Sequence, residues 1–151
     1  MQLHLEGSNT IVAPPQKVFS LLTDPKFIAK TLPDAEDVRV LDENSLEAKM
    51  KVRVALVSST QAVKLTIADR EPPNKARLLV DGSGSGSSMK VTSSFTLSGE
   101  STTTMSWAAE AEITGVMAGL GSTILKGFAT KKVAEIFEGI TKAIEKEAST
   151  T

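Results

Sequence analysis

The sequence predicts an α+β fold in which a curved antiparallel sheet wraps around one long carboxy-terminal helix. Two observations carry this prediction. From Val38 to Thr114, apolar and polar residues alternate with a period of two, which is typical of strands with one buried and one wet face. From Gly115 to about Glu147 the period becomes that of a helix, with apolar residues along one broad face. The predicted order is one strand, two short helices, six strands and one long helix.

The amino-terminal elements are bounded by prolines. A first strand ends before Pro14-Pro15, and the second proline of this pair suits the first position of a helix. Asp24-Pro25 then starts a second helix, which stops before Pro33. Both helices are too short to be stable alone, so we expect them to pack on the sheet.

The strands that follow are separated by turn signals. These signals fall at Asp42 to Asn44, Pro72 to Asn74, Asp81 to Ser88 and Ser98 to Ser101. The apolar alternation predicts that one strand runs from Leu46 to Leu56. The Gly-Ser run from Gly82 to Ser88 lacks the spacing of a phosphate-binding loop, and we interpret it as a hairpin tip.

Composition narrows the class of protein. The chain has 151 residues, which fits a single domain over 1–151, and its net charge of −1 argues against a nucleic-acid surface. The absence of cysteine removes disulfides, thiolate chemistry and cysteine-type metal sites. Neither a signal peptide nor an apolar run of about 18 residues is found, so we expect a soluble, cytoplasmic protein.

Four segments carry a resemblance to a known family: Val12 to Phe19, Leu22 to Pro25, Leu32 to Glu36 and Gly115 to Ser122. They resemble the START/SRPBCC helix-grip superfamily and, within it, the CoxG family of carbon monoxide dehydrogenase subunits. The resemblance covers nearly the whole chain. It implies a lipophilic cavity between the sheet and the long helix, and an accessory role in assembling molybdenum hydroxylases of the carbon monoxide dehydrogenase type or recruiting them to the membrane. We expect no cofactor.

Two features depart from that family. Asp34 stands where its members usually have glycine, and the chain ends at Thr151 without the linker and hydrophobic tail that some members carry. We therefore expect no membrane anchor of its own, although peripheral contact with the inner face of the membrane remains open.

Small residues mark the predicted interface between sheet and helix. They indicate either close backbone packing or space for a ligand, and the resemblance favours a ligand cavity of roughly 300 to 1,000 Å³. Gln61, Ser93 and Ser122 are the polar groups expected inside, enough to orient a headgroup. The predicted cavity lining is Met50, Val52, Gln61, Val91, Ser93, Phe95, Trp107, Ala109, Ala111, Ala118, Gly121, Ser122 and Leu125.

The long helix carries a second apolar stripe. It is formed by Met117, Leu120, Ile124 and Phe128 and gives way to charged residues further along the helix. A helix that is apolar on two sides must cover something besides its own sheet. A ligand, a loop, a partner protein and a membrane surface are the candidates, and we predict a docking patch for a partner or a membrane.

No catalytic or metal-binding group is expected. His4 is the only histidine and lies on the wet face of its strand, so it offers a metal at most one ligand. Glu110 and Glu112 share the wet face of another strand, and we expect both to be solvated. The acidic group Asp34, Glu36 and Asp37 is interpreted as a solvated loop.

Three hypotheses about function follow. The first is a non-catalytic protein that binds a lipophilic molecule, a quinone or a lipid, and serves a membrane-proximal molybdenum hydroxylase. The second is a cyclase or dehydratase of the same superfamily, which requires an ionisable group inside the cavity. The third is an assembly factor that binds no ligand, and it requires a filled interior.

Overall fold

The computed structural model describes residues 1–32 and 34–149, and within these ranges it contains seven strands, three α-helices and one 3₁₀-helix. The strands are β1 (Gln2–Ile11), β2 (Ala35–Asp42), β3 (Ser45–Val54), β4 (Val57–Glu71), β5 (Lys75–Gly84), β6 (Ser87–Gly99) and β7 (Thr103–Gly115). The α-helices are α1 (Pro15–Leu22), α2 (Pro25–Thr31) and α3 (Ser122–Ser149), and the 3₁₀-helix spans Val116–Leu120.

The strands form one antiparallel sheet in the order β1-β7-β6-β5-β4-β3-β2. The sheet curves around α3, and the predicted fold class and element order are confirmed. The two short helices connect the edge strands β1 and β2.

The outer face of the sheet carries a row of charges that alternate in sign. The row runs across six neighbouring strands as Arg39, Glu47, Lys64, Asp81, Lys90 and Glu112. The amino terminus extends the row, since the Met1 amine lies 3.7 Å from Glu112. Each cross-strand pair of opposite charge stabilises the sheet by about 0.2 to 1 kcal/mol. A one-residue slip would bring these charges to the apolar face, so the row favours the observed register.

The short helices begin as the prolines predict. Pro15 occupies the first turn of α1, and the Asp24 carboxylate caps α2 by accepting a hydrogen bond of 3.0 Å from the Lys26 amide. The helices bury Val18, Phe19 and Phe27 in the main core cluster with the carboxy-terminal half of α3. Pro33, which marks the predicted end of α2, lies outside the described residues.

The long helix is shorter at its amino terminus than the sequence predicts. Residues 116–120 form a 3₁₀-helix, and Gly121 interrupts the helical path with φ 91° and ψ 156°. Residues other than glycine rarely adopt this conformation. The helical phase therefore restarts at Ser122, and a face extrapolated from Gly115 does not continue into α3.

One end of the sheet, which we call the hairpin end, is formed by the β3–β4 turn, the β5–β6 turn and the last residue of β7. The prediction that Leu56 belongs to a strand is wrong: β3 ends at Val54, and Leu56 is 93% exposed in a two-residue turn. The predicted hairpin tip from Gly82 to Ser88 is also too long. Only Ser85 and Gly86 form the turn, both with the positive φ angles of a type I′ hairpin.

Candidate ligand site

An internal space of about 320 Å³ lies between the concave face of the sheet and α3. It arises because α3 contacts strands near the two edges of the sheet, β1 and β3, while small side chains of β7 face α3 between them. Ala109 and Ala111 of β7 line the space, and Ala111 lies next to Val91 of β6. Val91 and Ala111 are only half-buried although they face inward. The space falls at the lower end of the range of small-molecule sites, about 300 to 1,000 Å³.

Helix α3 supplies one wall of this space. The side chains concerned recur at intervals of three and four residues, which places them on one face of the helix. They are Leu125, Phe128, Ala129, Lys132, Val133, Ile136, Phe137 and Ile140. The segment from Leu125 to Ile140 is about 22 Å long at ~1.5 Å per residue. The space is therefore elongated along the helix.

Aromatic rings lie at the end of the space opposite the hairpin end. The Trp107 and Phe137 ring centroids are 5.0 Å apart, and both side chains line the space. The Trp107 indole donates a hydrogen bond of 3.1 Å to the Asn9 side-chain oxygen. Its polar group is therefore satisfied, and the ring presents an apolar surface to the interior.

A small polar group lies near the hairpin end of the space. The buried Gln61 amide nitrogen donates to the Ser59 hydroxyl oxygen at 2.6 Å and to the Gly84 carbonyl at 2.9 Å. The Ser87 hydroxyl oxygen accepts a hydrogen bond of 3.0 Å from the Met117 amide. Further along the space, the Ser93 hydroxyl donates to the Leu78 carbonyl at 2.8 Å. The remaining wall of the interior is mainly aliphatic and aromatic.

Charged side chains lie only at the rim of the space within residues 1–32 and 34–149. Lys132 bridges Asp34 at 3.3 Å and Glu135 at 3.2 Å. Burial lowers the pKa of Lys132, but hydrogen bonds to the two carboxylates outweigh it, so the pKa lies above its ordinary value. Lys51 also lies at the rim and pairs with Glu36 at 3.1 Å. Asp34 has φ 59°, a left-handed conformation that favours glycine.

The structure brings ten of the thirteen predicted lining residues to this space and leaves three outside. The ten are Met50, Val52, Gln61, Val91, Ser93, Phe95, Trp107, Ala109, Ala111 and Leu125. The three that do not line it are Ala118, Gly121 and Ser122. They lie before α3 or at its first residue, and the chain there does not continue the sheet-facing side of α3. A Cβ added at Gly121 would meet no atom within 4 Å, so close packing does not explain this glycine either.

The four residues of the predicted docking patch do not form one exposed stripe. Met117 is buried and lines the space together with Phe128. Leu120 is half-buried against the cluster that contains Met117 and Leu125. Only Ile124 is well exposed, at 48%. The break at Gly121 separates the first two residues from the last two, and Phe128 lies three positions after Leu125 on the sheet-facing side of α3.

The charged residues His4, Glu110 and Glu112 lie on the wet surface of the sheet. His4 is exposed and contacts the carboxylates of Glu110 and Glu6, which are also exposed. Hydrogen bonding to Glu110, with a smaller effect of Glu6, raises the pKa of His4 above its ordinary value. Glu112 pairs with the amino terminus. These contacts are charge interactions on the outer surface of the sheet.

Sequence reasoning missed several contributors to the site. Lys132 lines the space, and the apolar pattern of the sequence contains no signal for a charged residue there. The interpretation of Asp34, Glu36 and Asp37 as a solvated loop is wrong in part, because Glu36 and Asp37 belong to β2 and Asp34 meets Lys132 across the rim. Ser59 and Met89 face inward by strand alternation, and that pattern was available in the sequence.

The part of the chain that the structure describes has neither a metal-binding cluster nor a membrane-crossing helix. No group of three His, Cys, Asp or Glu side chains there is arranged to hold a metal ion. Similarly, no helix within that part has the length and apolarity needed to cross a bilayer.

A curved antiparallel sheet closed by one long carboxy-terminal helix defines the helix-grip fold, which START proteins share. A conserved protein from Geobacillus kaustophilus superimposes with a TM-score of 0.85 at 25% identity, over 95% of this chain and 96% of that one. A START superfamily protein from Mycobacterium smegmatis gives 0.65 at 14% identity, over 97% of each chain. The Zhui aromatase/cyclase from Streptomyces sp. R1128 gives 0.69 at 14% identity, over 96% and 94%.

The model of the CoxG family of carbon monoxide dehydrogenase subunits matches residues 7–145, and the chain belongs to that family. No curated protein matches the sequence at a significant level.

Proposed function

We propose that this protein is a non-catalytic carrier of a lipophilic molecule, a quinone or a lipid, and that it serves a molybdenum hydroxylase of the carbon monoxide dehydrogenase type. The observation that carries the proposal is the elongated space of about 320 Å³ with an almost wholly apolar wall. A space of this kind holds an apolar ligand by burying its surface, at ~25 cal/mol per Å² before the costs of association.

The position of the charged groups favours a carrier over an enzyme. A cyclase or dehydratase needs a general acid or base that reaches the enclosed substrate. Among the described residues, the ionisable side chains that line the space are Asp34, Lys51 and Lys132. Each of them is paired at the rim, and the Asp34 side chain is 60% exposed. An assembly factor without a ligand would instead have a filled interior, which the 320 Å³ space argues against.

The family supplies the proposed partner. The family model that matches the chain is named for a component of carbon monoxide dehydrogenase. A carrier of a quinone or lipid would move its cargo between that enzyme and the inner face of the cytoplasmic membrane. An apolar interior suits this role.

The hairpin end is the surface that we propose meets the membrane. Leu56 at its tip is 93% exposed, and Val116, whose amide donates to Gly86, is 58% exposed. The sequence contains no acidic residue in 48–68 or in 114–134, whereas it has basic residues in both segments. Lys51 and Lys132 in these segments are ion-paired, whereas Arg53 is exposed next to the β3–β4 turn. An exposed apolar tip beside a basic side chain binds reversibly to anionic bilayers.

A transfer assay with a matched pair of variants tests this function. Donor and acceptor vesicles contain equal parts of phosphatidylglycerol and phosphatidylcholine, and the donor also carries 4-(1-pyrenyl)butanol as a lipophilic cargo. We expect the protein to accelerate cargo transfer in proportion to its concentration. Leu56→Asp should reduce the rate about tenfold or more, because it removes the burial of one leucine, ~1.5 to 3 kcal/mol.

Val12→Asp is the control variant. Val12 is 66% exposed and follows β1 at the opposite end of the sheet, where its amide hydrogen-bonds to Glu145. This variant should transfer cargo at the same rate as the unmodified protein. Equal slowing by both variants would contradict docking through the hairpin end, and transfer that is independent of protein would contradict the carrier function.

A further inference from the structure

The orientation of the buried Gln61 amide is fixed by its neighbours. Its nitrogen lies 2.9 Å from the Gly84 carbonyl oxygen, which accepts hydrogen bonds and cannot donate them. Rotating the amide by 180° would bring two acceptors together. The nitrogen therefore faces Gly84 and Ser59, and the side-chain oxygen Oε1 points away from them.

Gln61 Oε1 is a buried acceptor without a donor. The residue is 4% exposed, and no group in residues 1–32 or 34–149 donates a hydrogen bond to this oxygen. Its near neighbour across β4 and β5 is Gly82: a Cβ built on Gly82 would lie 3.4 Å from Oε1 and 3.1 Å from the Met89 side chain. A buried acceptor in such apolar surroundings costs free energy until a donor reaches it.

Two other polar groups that line the space already have partners within the described chain. The Ser93 hydroxyl donates to Leu78, and the Ser87 oxygen accepts from Met117. Neither group requires a ligand to satisfy it. Thr141 Oγ1 is also buried without a hydrogen-bond partner among the described residues, but Thr141 does not line the space. Gln61 differs from them because it lines the space and its Oε1 lacks a donor.

On the basis of the proposed carrier function, we propose that the bound molecule carries a hydroxyl or N–H donor that hydrogen-bonds to Gln61 Oε1 at the hairpin end of the space. The chemical class is a lipophilic alcohol, phenol or hydroquinone, with its apolar body extended along α3 towards Trp107. A ketone or quinone has only hydrogen-bond acceptors. Its oxygen would face the acceptor Oε1, and no hydrogen bond would form between them. Of the two cargoes proposed above, a quinone would therefore be held in its reduced form, the hydroquinone.

Calorimetric titration with three related probes tests the proposal. The probes are 1-naphthol, naphthalene and 1-methoxynaphthalene, which share the same rings and differ in the donor. We expect 1-naphthol to bind about fivefold tighter than naphthalene, the effect of one net hydrogen bond. It should bind at least about tenfold tighter than 1-methoxynaphthalene, which also places an acceptor against Oε1.

Two variants locate the effect. Gln61→Leu removes the acceptor and should abolish the preference for 1-naphthol, whereas Ser93→Ala, which changes another polar residue of the same wall, should retain it. If Gln61→Leu does not fold, the three probes still decide the proposal in the unmodified protein. Equal binding of all three would overturn the donor requirement and leave the carrier function intact. Failure of all three to bind would overturn both, and loss of the preference in Ser93→Ala alone would overturn the assignment to Gln61.

Discussion

Ile144→Ala is expected to lower the free energy of unfolding by about 2 to 5 kcal/mol. Ile144 is fully buried, and it packs in the main core cluster between α3, the short helices and the sheet. Removing its side chain leaves a cavity that the surrounding atoms fill only in part. Chemical denaturation monitored by circular dichroism measures the loss.

Ile136→Ala is the matched comparison, because the same side chain lies two turns earlier on α3. Ile136 is only half-buried and borders the internal space. Its truncation enlarges a space that already exists, so we expect a loss of about 1 to 2 kcal/mol, less than that at Ile144. Equal losses at the two positions would show that the middle of the helix is packed as tightly as its carboxy-terminal part.

Ala109→Phe is expected to weaken the binding of 1-naphthol by at least about tenfold with little change in stability. Ala109 faces the middle of the space, opposite Ser93 on the neighbouring strand. A phenyl ring there would occupy the volume that the ligand needs. Phenylalanine is preferable to tryptophan because it introduces no N–H group that needs a partner. Calorimetry measures binding, and denaturation measures stability.

Ala108→Phe is the control for this substitution. Ala108 is adjacent in β7 and faces the outer side of the sheet, since successive strand residues point to opposite faces. This variant should bind 1-naphthol with unchanged affinity. An overpacked core loses about 1 to 3 kcal/mol, so a stability loss of that size in Ala109→Phe, with binding retained, would contradict an internal ligand site.

The strands were predictable because a strand that is buried on one side has apolar residues at every second position, and this alternation is visible in the sequence. Ala109 and Ala111 were placed on the inner face of β7 by this alternation alone, and the structure agrees. Leu56 shows the limit of the method. It continues the apolar alternation, but the chain turns there, and no glycine or asparagine marks the turn.

The side of the long helix that faces the sheet was harder to predict, because it depends on the backbone conformation of a single residue, Gly121. Gly121 resembles any other glycine in the sequence, and only its φ of 91° reveals that the segment with Met117 and the segment with Phe128 are separate. The unpaired acceptor was also beyond prediction. Alternation places Gln61 inside, but the orientation of its amide depends on Gly84 of another strand.

Mass spectrometry of an organic extract of the purified protein tests the central claim most directly. The protein is purified without detergent, extracted with chloroform and methanol, and compared with a parallel extract of Ala109→Phe. We expect a lipophilic molecule with a hydroxyl or N–H group in the first extract, approaching one per chain, and its loss from the second. An extract of the unmodified protein that contains no such molecule, or the same molecules in equal amounts in both extracts, would contradict the account.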